Sequence, residues 1–377
     1  MREERRARIT QAMGKEGLDW LVLAPSTNLE YLTGVKRRSP AYTRADHHGS
    51  WAEIALLDAA GRYHYIAPRM VADFEAVEGE GIELHRLEEG TAIEPQLRRI
   101  LTSIGWENGV AAVEDAVSAH AVLCLAGSSP RMNLRDGTRL LQGIRRVKTE
   151  SELAILREAA RVTDEAFADV LRQVRVGASE WELAIELEYQ MRRRGAEALS
   201  FPSVVYGYHG DRPSSIRKYR EPRYDPLKEG TILAFDFGCV VDGYCSDFGR
   251  TVAIGEPAPE VERFAADLAE AHRLGIHELR SGATANSVHR AVQCALDEAG
   301  WGDHFVHRTG HGIGMDVHED PALDRLDTTR LETSMVFTIE PSVLVEGGLW
   351  VRNEDVVVVG EDHGKPLNQS ALGLVTV

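Results

Sequence analysis

The chain of 377 residues predicts an α+β protein in two parts: an α/β domain over 1–145, then a domain of two similar α-plus-β halves over 146–377. Three observations predict this. Strand-like and helix-like segments alternate through the first part, the pattern of a sheet covered by helices. Further on, GASEWELAIELEYQMRRRG (177–195) is echoed by GATANSVHRAVQCALDEAG (282–300), 105 residues later. Finally, acidic residues and a histidine interrupt a series of short apolar segments late in the chain.

In the first part, DWLVLA (19–24), AEIALLD (52–58), RYHYIA (62–67), IELHRL (82–87) and GVAAVE (109–114) read as strands. Helical patterns occupy 3–16, 68–77, 92–103 and 117–126, and Gly61 between two apolar runs marks the tight turn of a hairpin. The segment KRRSPAYTRADHHGS (36–50), with His47 and His48, reads as a solvated loop or one reaching toward a neighbouring subunit. Near residue 145 the pattern changes. Thr149 followed by Glu152 forms a capping box for a long amphipathic helix. In the echoed segments Leu183, Leu187 and Met191 align with Val288, Val292 and Leu296, one face of a helix in each copy. Each copy is preceded by another helical segment and followed by strands, so a pseudo-twofold axis would bring strands of both halves to one site.

The formal charge is −16, from 43 basic and 59 acidic residues. That surface disfavours nonspecific nucleic-acid binding and anionic membranes. No run approaches the ~20 apolar residues of a membrane span, and WLVLA (20–24) is too short for a signal-peptide core. A cytoplasmic location is expected. Cys124, Cys239, Cys245 and Cys294 form no C-x-x-C pair and no disulfide framework, so free buried thiols are expected. GHGIG (310–314) lacks a nucleotide-binding pattern, and the basic stretch GDRPSSIRKYREPR (210–223) reads as a solvated loop.

The chemistry gathers in five residues: Asp236 in TILAFDFG, Asp247 in GYCSDFGRT, His311 in HRTGHGIGMDVHE, Glu340 in VFTIEPSV and Glu354 in LWVRNEDVVVV. Each sits in or at the end of a strand-like segment. A lone Asp closing an apolar strand is usually a turn or cap residue, and a lone Arg352 would be a surface ion-pair member. Carboxylates inside LWVRNEDVVVV are costly unless a cation or hydrogen bonds compensate them. Four carboxylates and one imidazole suit Mn²⁺, Co²⁺, Fe²⁺ or Zn²⁺. Shared carboxylates can hold two such ions ~3.5–4 Å apart.

On these motifs the sequence resembles the pita-bread metallopeptidases, which include Xaa-Pro dipeptidases (prolidases), aminopeptidase P and methionine aminopeptidase. The resemblance runs from about 150 to 377, with intervals of eleven residues from Asp236 to Asp247, twenty-nine from His311 to Glu340 and fourteen from Glu340 to Glu354. NLEYLTGV (28–35) and LQGIRRVKTESEL (141–153) resemble parts of the creatinase/prolidase N-terminal domain and its connection. A two-domain layout favours the Xaa-Pro branch over methionine aminopeptidase. The resemblance implies a creatinase-like N-terminal domain, a pita-bread catalytic domain, and two divalent ions, Mn²⁺ or Co²⁺ before Zn²⁺ or Fe²⁺. It implies that Asp236 chelates one ion, that Asp247 and Glu354 bridge the two, and that His311 and Glu340 complete the coordination of the second ion. A hydroxide between the ions would attack the amide carbonyl, with Glu340 taking its proton. His307 and His318 would contact substrate or stabilise the oxyanion, and Arg352 would orient a ligand carboxylate. A homodimer acting on a small peptide or other small molecule is implied as well.

Two positions depart from that pattern. Tyr219 stands seventeen residues before Asp236, where a histidine is usual, and Ala322 stands four after His318, where some prolidases carry an arginine. Arg325, Lys218 or Arg217 would then have to receive a substrate carboxylate. The reading is therefore an Xaa-Pro exopeptidase, a dipeptidase before an aminopeptidase. Next comes the same centre acting on an amidine, cyclic amide or sulfonium compound, and last an inactive binding relative.

Overall fold

The computed structural model describes residues 2–37, 48–74, 81–210, 223–345 and 348–377. The chain divides into two units, Met1–Arg145 and Arg146–Val377. Tyr219, Lys218, Arg217 and His47 lie outside the described residues, while His48 is exposed.

The first unit is built on six strands: β1 (Trp20–Leu23), β2 (Ile54–Asp58), β3 (Tyr63–Pro68), β4 (Ile82–Leu87), β5 (Asn108–Val113) and β6 (Arg131–Asp136). Their order in the sheet is β4-β3-β2-β1-β5-β6. Central β1 pairs antiparallel with β2 and parallel with β5. It is buried over its whole length, which is why WLVL reads as a continuous apolar run and not an alternation. β2 and β3 form the expected hairpin. Gly61 supplies its φ of 83° and donates its N–H to Asp58 O at 2.9 Å. β6 was not anticipated, because RMNLRD buries only Met132. The short helix Thr27–Thr33 was missed too; it is set by Ser26, whose side chain accepts from Asn28 and Leu29 N–H, and by Gly34 at φ 78°.

The second unit repeats one succession, a helix pair followed by strands. Glu150–Leu171 and Glu180–Arg193 come first, Pro259–Glu278 and Ala285–Ala299 second. Thr149 with Glu152 forms the expected capping box, and Ser179 with Glu182 and Thr284 with Ser287 form one at the start of each echoed helix. The six aligned apolar residues of the echo are all buried. The first half's strands Val204–Tyr208, Ile232–Phe237 and Phe248–Ala253 form one sheet with Leu374–Thr376. The second half's strands Gly310–Gly312, Glu319–Leu323, Val336–Ile339 and Asp355–Val358 form another with Lys365–Pro366. A bridge between Gly249 and Glu354 links the two sheets.

Strand alternation decides what points where. In Ile232–Phe237, Leu233, Phe235 and Phe237 enter the core beneath the helices, where Phe167 meets Phe235 at 5.5 Å and Phe248 at 5.3 Å between ring centroids. Ala234 and Asp236 take the opposite face, and Asp236 lines a cleft. Among the described residues no helix is long and apolar enough to cross a membrane. The four cysteines are free; three are buried, and Cys294 is exposed, contrary to the expectation of a buried thiol.

Candidate metal centre

Asp236, Asp247, His311 and Glu340 line a cleft of about 1540 Å³ within the second unit, and Glu354 is fully buried beside them. Asp247 precedes the strand Phe248–Ala253, His311 lies in Gly310–Gly312, Glu340 follows Val336–Ile339, and Glu354 precedes Asp355–Val358. Ligand atoms of Asp247, His311 and Glu354 all lie within 4.8 Å of one another. Glu340 and Asp236 border that trio through Arg352. Its Nη2 lies 2.7 Å from both Glu340 Oε2 and Glu354 Oε2, and 3.6 Å from Asp236 Oδ2. Arg352 Nη1 donates to Ser342 Oγ at 3.1 Å.

Backbone contacts fix these side chains. Glu354 N–H donates to Gly249 O at 2.9 Å, and Gly249 N–H returns the bond at 3.3 Å. A Cβ on Gly249 would sit 2.9 Å from Arg352 Nε and 3.0 Å from Glu354 Oε2, so this close approach needs glycine. Thr251 Oγ1 accepts from Arg352 N–H and donates to Arg352 O, which fastens the strand Trp350–Arg352 beneath the cleft. At His311, Nδ1 lies 2.9 Å from Gly312 O. A carbonyl only accepts, so Nδ1 carries the hydrogen and Nε2 keeps its lone pair. Nε2 faces Glu340 Oε1 at 3.4 Å and Asp247 Oδ2 at 3.6 Å.

The electrostatics leave negative charge in excess. Four carboxylates share one buried guanidinium, that of Arg352. Burial, then the neighbouring Asp236 and Glu340, push the Asp247 carboxyl well above the ordinary range. Burial does the same to Glu354, with Arg352 opposing it. Burial alone would raise Glu340 too, but nearby positive charge, Arg352 first, outweighs it and holds that carboxyl low. Asp247 Oδ1 and Glu354 Oε1 are buried without a hydrogen-bond donor. Two facing carboxylates must share a proton or share a cation. Orphaned carboxylate oxygens beside an imidazole lone pair fit divalent ions of the Mn²⁺, Co²⁺, Fe²⁺ or Zn²⁺ kind.

The other predicted residues distribute around this floor. His318 stacks edge-on against His311 at 4.3 Å, and His307, half-buried, places Nδ1 2.6 Å from Arg308 O. Burial lowers the His307 imidazole below its usual value. Arg325 is exposed on the cleft wall, and Ala322 pairs with His311 across the adjacent strand. Several contributors escaped the sequence reading. Arg308 Nε lies 3.9 Å from Glu340 Oε1, and Thr338 Oγ1 accepts from His311 N–H at 3.0 Å. Lys148 pairs with Glu319 at 2.9 Å, both buried below a tenth of side-chain exposure. Thr338 alone had a signal, two residues before Glu340 on one strand face.

The model of metallopeptidase family M24 matches residues 154–361, and that of the creatinase/prolidase N-terminal domain matches residues 5–147. The chain is 31% identical to the probable dipeptidase PepE of Mycobacterium tuberculosis, over 97% of this chain and 94% of that one. It is 33% identical to the Xaa-Pro dipeptidase of Lactobacillus delbrueckii subsp. lactis, over 63% and 64% respectively. The recombinant prolidase of Thermococcus sibiricus superposes with a TM-score of 0.87 at 27% identity, covering 100% of this chain and 99% of that one.

Proposed function

The chain belongs to metallopeptidase family M24 and is a metal-dependent hydrolase; from that premise we propose that it is a dinuclear Xaa-Pro exopeptidase, a dipeptidase in preference to an aminopeptidase. One observation carries the reading: Asp247 Oδ1 and Glu354 Oε1 are buried without donors beside the free lone pair of His311. Asp236, Asp247, His311, Glu340 and Glu354 would hold the ions. Bound there, two dications supply a Lewis acid for the scissile carbonyl and lower the pKa of water.

The remaining work falls to this chain's own side chains. Glu340 accepts a proton at Oε1, because Oε2 is already taken by Arg352 at 2.7 Å. Arg352 holds Glu340 and Glu354 apart and keeps Glu340 ionised. Neutral His307, with its hydrogen on Nδ1, offers Nε2 as an acceptor for a substrate N–H. His318, exposed over His311, would donate to the developing oxyanion. Arg290, Arg308 and Arg325 line the cleft and supply the cation that a dipeptide's carboxylate needs in place of the residue at Ala322. Tyr219 and Ala322 motivate the second reading, a small non-peptide substrate at the same centre.

Purified protein should contain about two ions per chain, lose Xaa-Pro dipeptide hydrolysis in EDTA, and regain it with Mn²⁺ or Co²⁺. Hydrolysis of Xaa-Pro-Yaa tripeptides in preference to dipeptides would move the assignment to an aminopeptidase. A fully loaded protein inert on both, but active on an amidine or cyclic amide, would establish the second reading. We propose a homodimer as the working form, and light scattering at the mass of one chain would refute it.

A further inference from the structure

A second group of metal-ligating side chains lies in the N-terminal unit, at the edge of its sheet. β4 is the edge strand, running parallel to β3 with His64 opposite Glu83 and Ile66 opposite His85. Glu83 and His85 are two apart on one strand and so share a face. Three side chains meet there. His64 Nδ1 lies 3.4 Å from His85 Nε2 and 3.2 Å from Glu83 Oε2, and His85 Nε2 lies 3.6 Å from Glu83 Oε1. A tetrahedral ion bound at ordinary Zn–N and Zn–O lengths keeps its ligand atoms about 3.3–3.6 Å apart. The observed separations of 3.2–3.6 Å lie close to those edges, with His64 nearest one Glu83 oxygen and His85 nearest the other.

The surroundings hold the ligands in that pose. His64 is buried, and its ring packs against Trp20 at 6.0 Å and His85 at 5.6 Å. On its far side, His64 Nε2 lies 3.7 Å from Asp58 Oδ2. Asp58 is itself fixed by Arg62 Nε at 2.7 Å and by the N–H groups of Ala60 and Arg62, each at 2.9 Å. At 3.7 Å the Asp58 carboxylate is an electrostatic neighbour of His64 without a hydrogen bond, and Nδ1 is the His64 nitrogen that faces His85 and Glu83. Glu83 is exposed and His85 partly so, which gives an ion access from solvent. We propose that His64 Nδ1, His85 Nε2 and the Glu83 carboxylate form a site for a Zn²⁺-class dication that clamps β4 to β3, with water as the fourth ligand.

Two nitrogens and one oxygen make a softer donor set than the acidic centre in the second unit. The edge site therefore selects Zn²⁺, Ni²⁺ or Cu²⁺ over Mn²⁺. Neither the ligands nor Asp58 belong to the peptidase machinery, so this proposal stands or falls apart from the preceding one.

The test uses the full chain with any polyhistidine tag removed. Wild type and the double variant Glu83→Gln/His85→Gln are saturated with Zn²⁺, desalted and analysed for metal. The variant is expected to carry one equivalent less, with its metal-free melting temperature and its peptidase activity unchanged. Equal zinc content in the two proteins overturns the proposal and leaves only a hydrogen-bonded imidazole pair. A second measurement needs no variant: crystals of the wild type soaked in Zn²⁺ and measured at the zinc edge. An anomalous peak between His64 and His85 supports the site, and its absence overturns it even if the variant fails to fold. With zinc bound, amide exchange in β4 should slow, while with Mn²⁺ it should not.

Discussion

Glu354 and Asp355 are consecutive, both buried and both acidic, yet they belong to opposite sides of one strand. Asp355 faces inward to a matched partner. Arg250 Nη2 donates to its Oδ1 at 2.6 Å, and His272 Nε2 lies 3.5 Å from its Oδ2. Arg250, fully buried, spends its other donors on the carbonyls of Gly249, Glu354, Ser370 and Ala371. Glu354 faces a crowd of carboxylates with a single guanidinium, and its Oε1 has no donor. A buried charge that the protein satisfies is architecture. One that it leaves short is a place for something the chain does not encode.

That contrast can be broken most forcefully at Arg250. Arg250→Met strips Asp355 of its partner and should lower the stability of the metal-free protein by about 3–5 kcal/mol, read from urea unfolding. A loss under 1 kcal/mol would mean that Asp355 is not held as described.

His272 comes next. Burial pushes its imidazole down to about 4 from an ordinary 6.5. With the folded value depressed, its contribution is fully present above pH 6.5 and is lost as pH falls through 4. The change is roughly 3 kcal/mol. Urea midpoints for the wild type should decline across that window more steeply than for His272→Gln. Parallel curves would remove this residue from the account.

The neighbouring carboxylates should then respond with opposite signs. Asp355→Asn breaks a satisfied pair and should destabilise the metal-free protein, whereas Glu354→Gln removes a group that resists ionisation and should stabilise it, each by about 1–3 kcal/mol. Metal content should fall in the second and not in the first. If both lose stability equally, the distinction between the two faces is wrong.

The mildest change is Gly249→Ala. The new methyl would press on Arg352 Nε and Glu354 Oε2, which are buried and hydrogen-bonded to each other, costing about 1 kcal/mol in stability. Metal affinity should fall about 10–100-fold, the usual cost of disturbing the residues that orient ligands. Isothermal titration with Mn²⁺ would measure it, and unchanged affinity would show that the glycine serves the backbone alone.

Much of this was legible in the residues. A carboxylate in a strand as apolar as LWVRNEDVVVV demands compensation, and period-2 alternation already set Asp236 apart from Phe235 and Phe237. The aligned apolar faces of the echoed segments announced the repeat, and Thr149 with Glu152 marked the start of the helix before it. Other parts were silent for physical reasons. Arg308, Ser342 and Thr251 act through spatial neighbours 32, 10 and 101 residues away, and no local pattern encodes such pairs. β6 was hidden because an edge strand with one buried residue lacks an apolar signature. Glu83 and His85 were readable as sharing a face of IELHRL, but the addition of His64 depended on the register of β3 against β4.

The bridge between Gly249 and Glu354 has a temporal meaning. During synthesis the ribosome releases Asp236 and Asp247 more than a hundred residues before Glu354 emerges, so no nascent fragment that ends short of that glutamate can gather all four carboxylates of the cleft. The crowded acidic floor comes into being only when the second half's strand is laid across the first.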